Sequence, residues 1–285
     1  MKEIIKKLFL VSRPISWPNT AYPFAVGYLL TVGRVDALFI IGTLFFLIPY
    51  NLLMYGINDV FDYESDIRNP RKGGIEGMRE QRAFHPTIIR AVLILTIPFI
   101  VYLFIAGPLT ASLILAAVLF FVVAYSIAKL RFKERPFLDS VTSSIHFVGP
   151  LVYALALAPF EPVALPYVIA FFLWGIASHA FGAVQDIIPD RKGKLSSIAT
   201  VIGAAWTMRL AAAFYAAATI IISVQAWPFA LMAIPGILYL INIASYLNLS
   251  DKQSMKANAP WRRFIYLNLF AGFVLTMILI FAYVV

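Results

Sequence analysis

Four polar side chains, Asn58, Asp59, Asp62 and Asp66, follow directly on an apolar run over 37–57. At 100° per residue, a helix carries them at about 0°, 100°, 40° and 80°, so one face bears three carboxylates and an amide. Glu64 points roughly the opposite way. Asp186 and Asp190 close a later apolar run and, four residues apart, also share a helix face. Burying one Asp at mid-bilayer costs about 2.5–3.5 kcal/mol, so five dry, unpaired carboxylates would cost roughly 12–18 kcal/mol. They are therefore expected at helix ends, in a polar cavity, neutralised by cations. Carboxylates with no Cys in the chain and no adjacent His favour a hard ion, and Mg²⁺ takes oxygen ligands that it shares with substrate phosphates. The two motifs are expected to face each other across a magnesium-bound diphosphate. A solvated helix cap would explain one such run alone; two of them on one face of a membrane favour function.

Tyr125 and Lys129 end another apolar run. Lys129 could hold a phosphate as a point charge, while Tyr125 donates a hydrogen bond or faces a carbocation. A snorkelling lysine and an interfacial tyrosine are the alternative. Arg68, Arg71 and Lys72 follow the first acids, and Arg191, Lys192 and Lys194 follow the second. They are candidates to clamp diphosphate, although membrane topology accounts for cations there equally well. Asp139, Thr142, Ser143 and His146 form a polar stripe that lines the cavity or bonds between helices. His179 lies about 20° in projection from Asp186, with a hydrogen-bonded structural histidine as its first reading and a base as its second. Asn19 turns inward or satisfies a proline-broken backbone.

The elements that must position these residues are membrane helices. A chain of 285 residues that is 61% hydrophobic and 13% charged is too apolar for a soluble domain of this length. Apolar runs recur at about 15–32, 37–57, 87–106, 109–128, 138–158, 163–185, 200–224, 228–248 and 263–284, each near the ~20 residues that a bilayer requires. The expectation is an all-α polytopic membrane protein, with nine transmembrane helices around a central cavity open to the cytoplasmic side. Residues 1 to 13 set Ile4, Ile5, Leu8 and Phe9 among three lysines, a pattern for a helix lying along the membrane surface.

The loops orient the bundle. Every Lys and Arg except Arg34 falls in alternate connections, which places the N-terminus in the cytoplasm of a cell membrane and the C-terminus outside. Every acid except Asp36 and Glu161 shares that cytoplasmic side. The net charge of +9 therefore reflects topology, and nucleic acid is not expected as a partner. With no cysteine, disulfides and thiolate metal sites are excluded. No cleavable signal peptide is expected, because Pro14, Pro18 and Pro23 interrupt the first apolar run. The first and second acidic motifs stand 128 residues apart, a weak repeat consistent with two halves of four helices each plus a ninth.

The ordered set N-D-x-x-D-x-x-x-D at Asn58 to Asp66, Y-x-x-x-K at Tyr125 to Lys129 and D-x-x-x-D at Asp186 to Asp190 resembles the UbiA superfamily of intramembrane prenyltransferases. The segments RPISWPNTAYPF, NDVFDYESDIRNPRKGGIEG, KLRFKERPFLDS and FGAVQDIIPDR look like its lycopene elongase branch. The resemblance implies one prenyltransferase domain over residues 1–285 and Mg²⁺ as cofactor. It implies metal and diphosphate held by Asn58, Asp62, Asp66, Asp186 and Asp190, with Asp59 in support and Lys129 on the leaving group. The implied partners are an allylic diphosphate such as dimethylallyl diphosphate, a lipid-soluble acceptor such as lycopene, and membrane lipids. An aromatic or quinone precursor is the alternative acceptor, and a membrane cation transporter with acidic gates is the alternative of another class.

Overall fold

A computed structural model describes residues 2–63 and 81–283. Among the described residues the regular structure is helical. An amphipathic helix α1 (Lys2–Val11) leads into α2 (Pro18–Thr31), α3 (Ala37–Leu47) and α4 (Pro49–Phe61). Then come α5 (His85–Ala106), α6 (Leu109–Ser126), α7 (Leu138–Leu155) and α8 (Leu165–Val184). The short α9 (Ile187–Lys192) precedes α10 (Ile198–Ser223), α11 (Ala233–Ala244) and α12 (Asn258–Tyr283).

Among the described residues, six segments are long and apolar enough to cross a membrane: Ala37–Phe61, Arg82–Ala106, Leu109–Ser126, Pro162–Val184, Ile198–Ser223 and Asp251–Tyr283. The first combines α3 and α4, which bend where Pro49 removes a backbone donor. The remaining three apolar runs form helices that fall short of this standard. Helix α2 has only 14 residues, α7 carries the polar stripe, and the Phe229–Ala244 segment is short. Helix α1 exposes Ile4, Ile5, Phe9 and Leu10 and buries Val11, the split that a surface-lying helix requires.

The chain packs as two compact units, 1–133 with 145–160, and 134–144 with 161–285. The division falls inside α7, so it does not follow the expected halves of four helices each. The first unit is built on buried aromatic rings. Phe24 stacks on Tyr153 at 5.9 Å and packs on Phe46 at 5.1 Å, and Phe46 meets Tyr50 edge-on at 5.1 Å. Gly42 makes room for this, since a Cβ there would lie 2.3 Å from Phe24. Buried polar atoms are met across helices: Asn51 Nδ2 donates to Thr20 Oγ1 at 2.7 Å, Thr20 Oγ1 to the Phe46 carbonyl at 2.6 Å, and Tyr50 to the His146 carbonyl at 2.8 Å. On the connection after α2, Asp36 caps α3 by accepting the Phe39 N–H, and it also accepts from Tyr28 and Arg34. The cap bond and Tyr28 hold its carboxyl down at about 2, so it stays ionised. Arg34, the one cation placed outside by the loop pattern, thus has an acidic partner.

The second unit has its own aromatic core. Tyr215 stacks on Tyr239 at 5.3 Å, Trp261 on Phe264 at 5.1 Å and Trp174 on Phe264 at 5.8 Å. The first turns of α7 approach α8 closely, because Ser144 donates to the Phe172 carbonyl at 2.7 Å and Gly175 leaves space for its hydroxyl. Helix α10 breaks at Gly203, where φ is 78° and ψ is 168°. Asp251 recaps the helix beyond the break by accepting the Ala204 N–H at 2.7 Å.

Only glycine adopts that backbone without strain, and an added Cβ would also stand 3.0 Å from Asp251 Oδ1. Gly203→Ala should therefore cost about 1–3 kcal/mol, read as a lower unfolding midpoint in detergent. Gly272→Ala, with nothing within 4 Å of the new Cβ in α12, should leave the midpoint unchanged or raise it. Equal midpoints for the two variants would refute the account of the break.

Candidate active site

Helix α4 delivers the first acidic motif and ends within it. Its last residue is Phe61, so Asn58 and Asp59 sit on the final turn and Asp62 occupies the C-terminal cap position. Three polar side chains expected on one face go to different partners. Asn58 donates its amide N–H to Ser126 Oγ at 3.1 Å, on the last residue of α6. That bond fixes the amide orientation and leaves its oxygen as an acceptor. Asp59 Oδ1 accepts from Arg13 at 2.8 Å; the two side chains are 3% and 15% exposed. Arg13 takes a left-handed backbone (φ 50°) between α1 and α2 and lays its guanidinium over Tyr55, 4.2 Å from the ring centre. Asp62 pairs with Lys133 and lies 3.6 Å from Arg131. Both cations stand in the turn after α6, where Arg131 also donates to the Phe61 carbonyl at 3.3 Å.

The end of α6 sets the tyrosine and lysine differently from a helical i, i+4 pair. Tyr125 lies in its last turn, edge-on to the His146 ring at 5.0 Å. Ile127 is already extended (ψ 141°) and Lys129 has φ 77°. Lys129 therefore leaves the helix and enters a turn with two further cations.

The second motif keeps its helical geometry. Asp186 stands between α8 and α9, and the Asp190 N–H donates to the Asp186 carbonyl at 2.9 Å, an i to i−4 bond that puts both acids on one face. Arg191 next to them bonds the Thr200 carbonyl at 2.7 Å and Asp251 at 2.6 Å, tying α9 to the start of α10. Lys192 and Lys194 are exposed, and Asn19 is half-buried in the first turn of α2. In the polar stripe, Asp139 accepts the Ile198 N–H at 2.7 Å, and His146 Nε2 lies 3.4 Å from the Phe121 carbonyl. Asp66, Arg68, Arg71 and Lys72 lie outside the described residues. Among the described residues, no three acids or histidines converge on a point. The donors that the motifs offer are nonetheless all oxygen, the set that fits Mg²⁺.

Arg13, Arg131, Lys133, Asp251 and Ser140 are the polar partners that motif reading passed over. The signal for Arg13 was present: it is the lone cation at the head of RPISWPNTAYPF.

Known proteins are similar to this chain along most of its length. The UbiA prenyltransferase family matches residues 20–270. A lycopene elongase/hydratase from Corynebacterium glutamicum is 49% identical over 98% of this chain and 98% of its own. A C50 β-cyclic carotenoid biosynthesis protein from Dietzia sp. is 48% identical over 99% of this chain and 66% of its own. Among solved structures, a UbiA homologue from Archaeoglobus fulgidus bound to DMAPP and Mg²⁺ superposes with a TM-score of 0.68, covering 94% of this chain and 99% of that one at 18% identity. That likeness concerns the fold alone.

Removing one partner of a buried ion pair strands the other, at a cost of about 3–5 kcal/mol. Asp59→Ala should accordingly lower the unfolding midpoint sharply, whereas Arg13→Met with Asp59→Leu should recover most of the loss. A single variant as stable as the wild type would refute the pairing.

Proposed function

Because the chain belongs to the UbiA prenyltransferase family, we propose that it transfers a dimethylallyl group from its diphosphate to lycopene, a step of C50 carotenoid biosynthesis. The observation that carries the acceptor is the 49% identity with a lycopene elongase/hydratase along 98% of both chains. An allylic diphosphate with Mg²⁺ is supported by the ligands of the Archaeoglobus fulgidus homologue and by the all-oxygen donors of the two acidic motifs. The three helices below the span criterion, α2, α7 and α11, complete nine crossings, since only then do the cation-rich connections alternate. That count puts the N-terminus in the cytoplasm, the C-terminus outside and both acidic motifs on a cytoplasmic-facing cavity.

In this reading Asn58, Asp62, Asp66, Asp186 and Asp190 hold the metal and diphosphate. When bound, Mg²⁺ supplies Lewis-acid stabilisation of the charge that develops on the leaving diphosphate. Lys129, Arg68, Arg71 and Lys192 meet diphosphate oxygens as point charges or forks. Arg191 contributes by bracing the second motif, its guanidinium being spent on Thr200 and Asp251. Asn19 completes the polar wall near the diphosphate. Asp62 faces Lys133 and Arg131, so these cations screen the motif and pass to diphosphate oxygens when substrate arrives. Tyr125 presents an aromatic ring to the allylic cation as the C–O bond breaks. Apolar walls keep water from that cation until the acceptor double bond attacks it. Lycopene is all hydrocarbon and enters sideways from the bilayer.

Lycopene-producing cells that express this chain should accumulate elongated C50 carotenoids, read from the pigment profile; unchanged lycopene would refute the acceptor. Asp62→Ala and Asp186→Ala should abolish turnover while the protein still inserts into membranes. Robust prenyl transfer by purified Asp62→Ala would sink the metal assignment. Excess EDTA should stop the reaction and added Mg²⁺ restore it, and undiminished activity in EDTA would count against a metal-held diphosphate.

A further inference from the structure

Prenyl transfer to an alkene ends with a proton to dispose of, and the start of α7 offers a route for it. Asp139 and Ser140 are buried there, at 0% and 1% exposure. Asp139 accepts through both oxygens: Oδ2 from the Ile198 N–H at 2.7 Å, and Oδ1 from the Ser140 N–H at 2.7 Å and the Ser140 hydroxyl at 3.3 Å. Ser140 Oγ also lies 3.0 Å from His179 Nδ1. The hydroxyl has one proton for two neighbours. The roles in the His179 contact follow the tautomer; in the one where the hydroxyl gives its proton to Asp139, the stronger acceptor, Ser140 accepts from Nδ1–H. That His179 tautomer carries its lone pair on Nε2.

The placement of His179 suits that lone pair to one task. It stands seven residues before Asp186, close to the same face of α8 and about 10 Å deeper along the axis. The residue is half-buried, while Ala177 and Ala180 beside it are fully buried. A diphosphate at Asp186 would point its hydrocarbon end toward this depth.

We propose that His179 Nε2 accepts the proton that terminates the reaction, with Ser140 and Asp139 as positioning residues; the proposal rests on the prenyl-transfer reading above. Attack of the acceptor double bond forms the new C–C bond and leaves a tertiary cation on the acceptor, the diphosphate having departed with the C–O electron pair. A C–H bond next to the cation then breaks. Its electron pair becomes the product double bond and its proton bonds to Nε2. The resulting imidazolium is held through Ser140 by Asp139, before the proton passes to water.

The test compares products from dimethylallyl diphosphate and lycopene in membranes carrying the wild type, His179→Ala, His179→Gln and Ser140→Ala. Expected is one dominant alkene from the wild type. In both His179 variants its ratio to isomeric alkenes and alcohols should fall about 100-fold, the lower end of a general base's contribution, with unchanged affinity for the diphosphate. Added imidazole should restore the ratio in His179→Ala, and Ser140→Ala should fall between. A folded His179→Gln protein with the wild-type ratio would overturn the proposal. So would lower thermal stability with an unaltered ratio, the mark of a structural histidine. The wild-type arm judges the underlying reading separately: no elongated product there would overturn prenyl transfer to lycopene, and this proposal with it.

Discussion

A carboxylate among membrane-spanning helices is tolerable only where a donor meets it, and the ends of these helices are built around that requirement. Asp59 faces Arg13, Asp62 faces Lys133 and Arg131, Asp139 takes two backbone N–H groups, and Asp251 takes another together with Arg191. Each neutralisation also fixes a piece of backbone. Arg13 pins the connection before α2 to the end of α4, and Asp139 pins the start of α10. The same charges that offer chemistry thus hold the helix ends in which the chemistry would occur. Exchanging such a group for an apolar one removes an anchor as well as a ligand.

Breaks in the helices serve the same end. Pro49 separates α3 from α4, the α8 helix stops before Asp186, and Gly203 interrupts α10. A break frees backbone donors and acceptors, which in an apolar setting must be met at once. Asp251 takes the Ala204 N–H, and Arg191 takes the Thr200 carbonyl. Polar side chains near the second motif therefore repair a kinked backbone before they are available to any ligand. Arg191, adjacent to Asp190 in sequence, is engaged in this way with Thr200 and Asp251.

Much of this was legible in the sequence, for physical reasons. Apolar runs and acids at helix ends are local patterns, and each run returned as one α-helix except 37–57, which returned as two, α3 and α4. The motif at Asp186 and Asp190 kept its helical spacing because α9 resumes immediately. What escaped were long-range pairs and departures from the helix. Arg13 meets Asp59 across 46 residues, and its charge had been counted only toward topology. Lys129 leaves α6 in a left-handed turn, so projection onto a helix could not place it. Crossings were equally hard to count by composition: α7 is long enough, yet its Asp139, Ser140, Thr142 and Ser144 lower its apolar character, because they face other helices instead of lipid.

In the proposed reaction, that polar content of α7 marks a second level along a helix axis. Ionisation of a diphosphate calls for concentrated charge near water, and Asp62 and Asp186 stand at the ends of α4 and α8. Fates of a carbocation are decided deeper, where water is scarce and stray bases would divert it. Along α8 the order follows this gradient. Asp186 stands at the end, His179 two turns in, and Trp174 further still within the aromatic core. A basic nitrogen at the middle level, oriented by a buried serine and aspartate, is costly unless it bonds well. The Ser140 contact meets that cost, and in the proposed tautomer the same bond orients the base, so that packing and reactivity at this position would be set by one hydrogen bond.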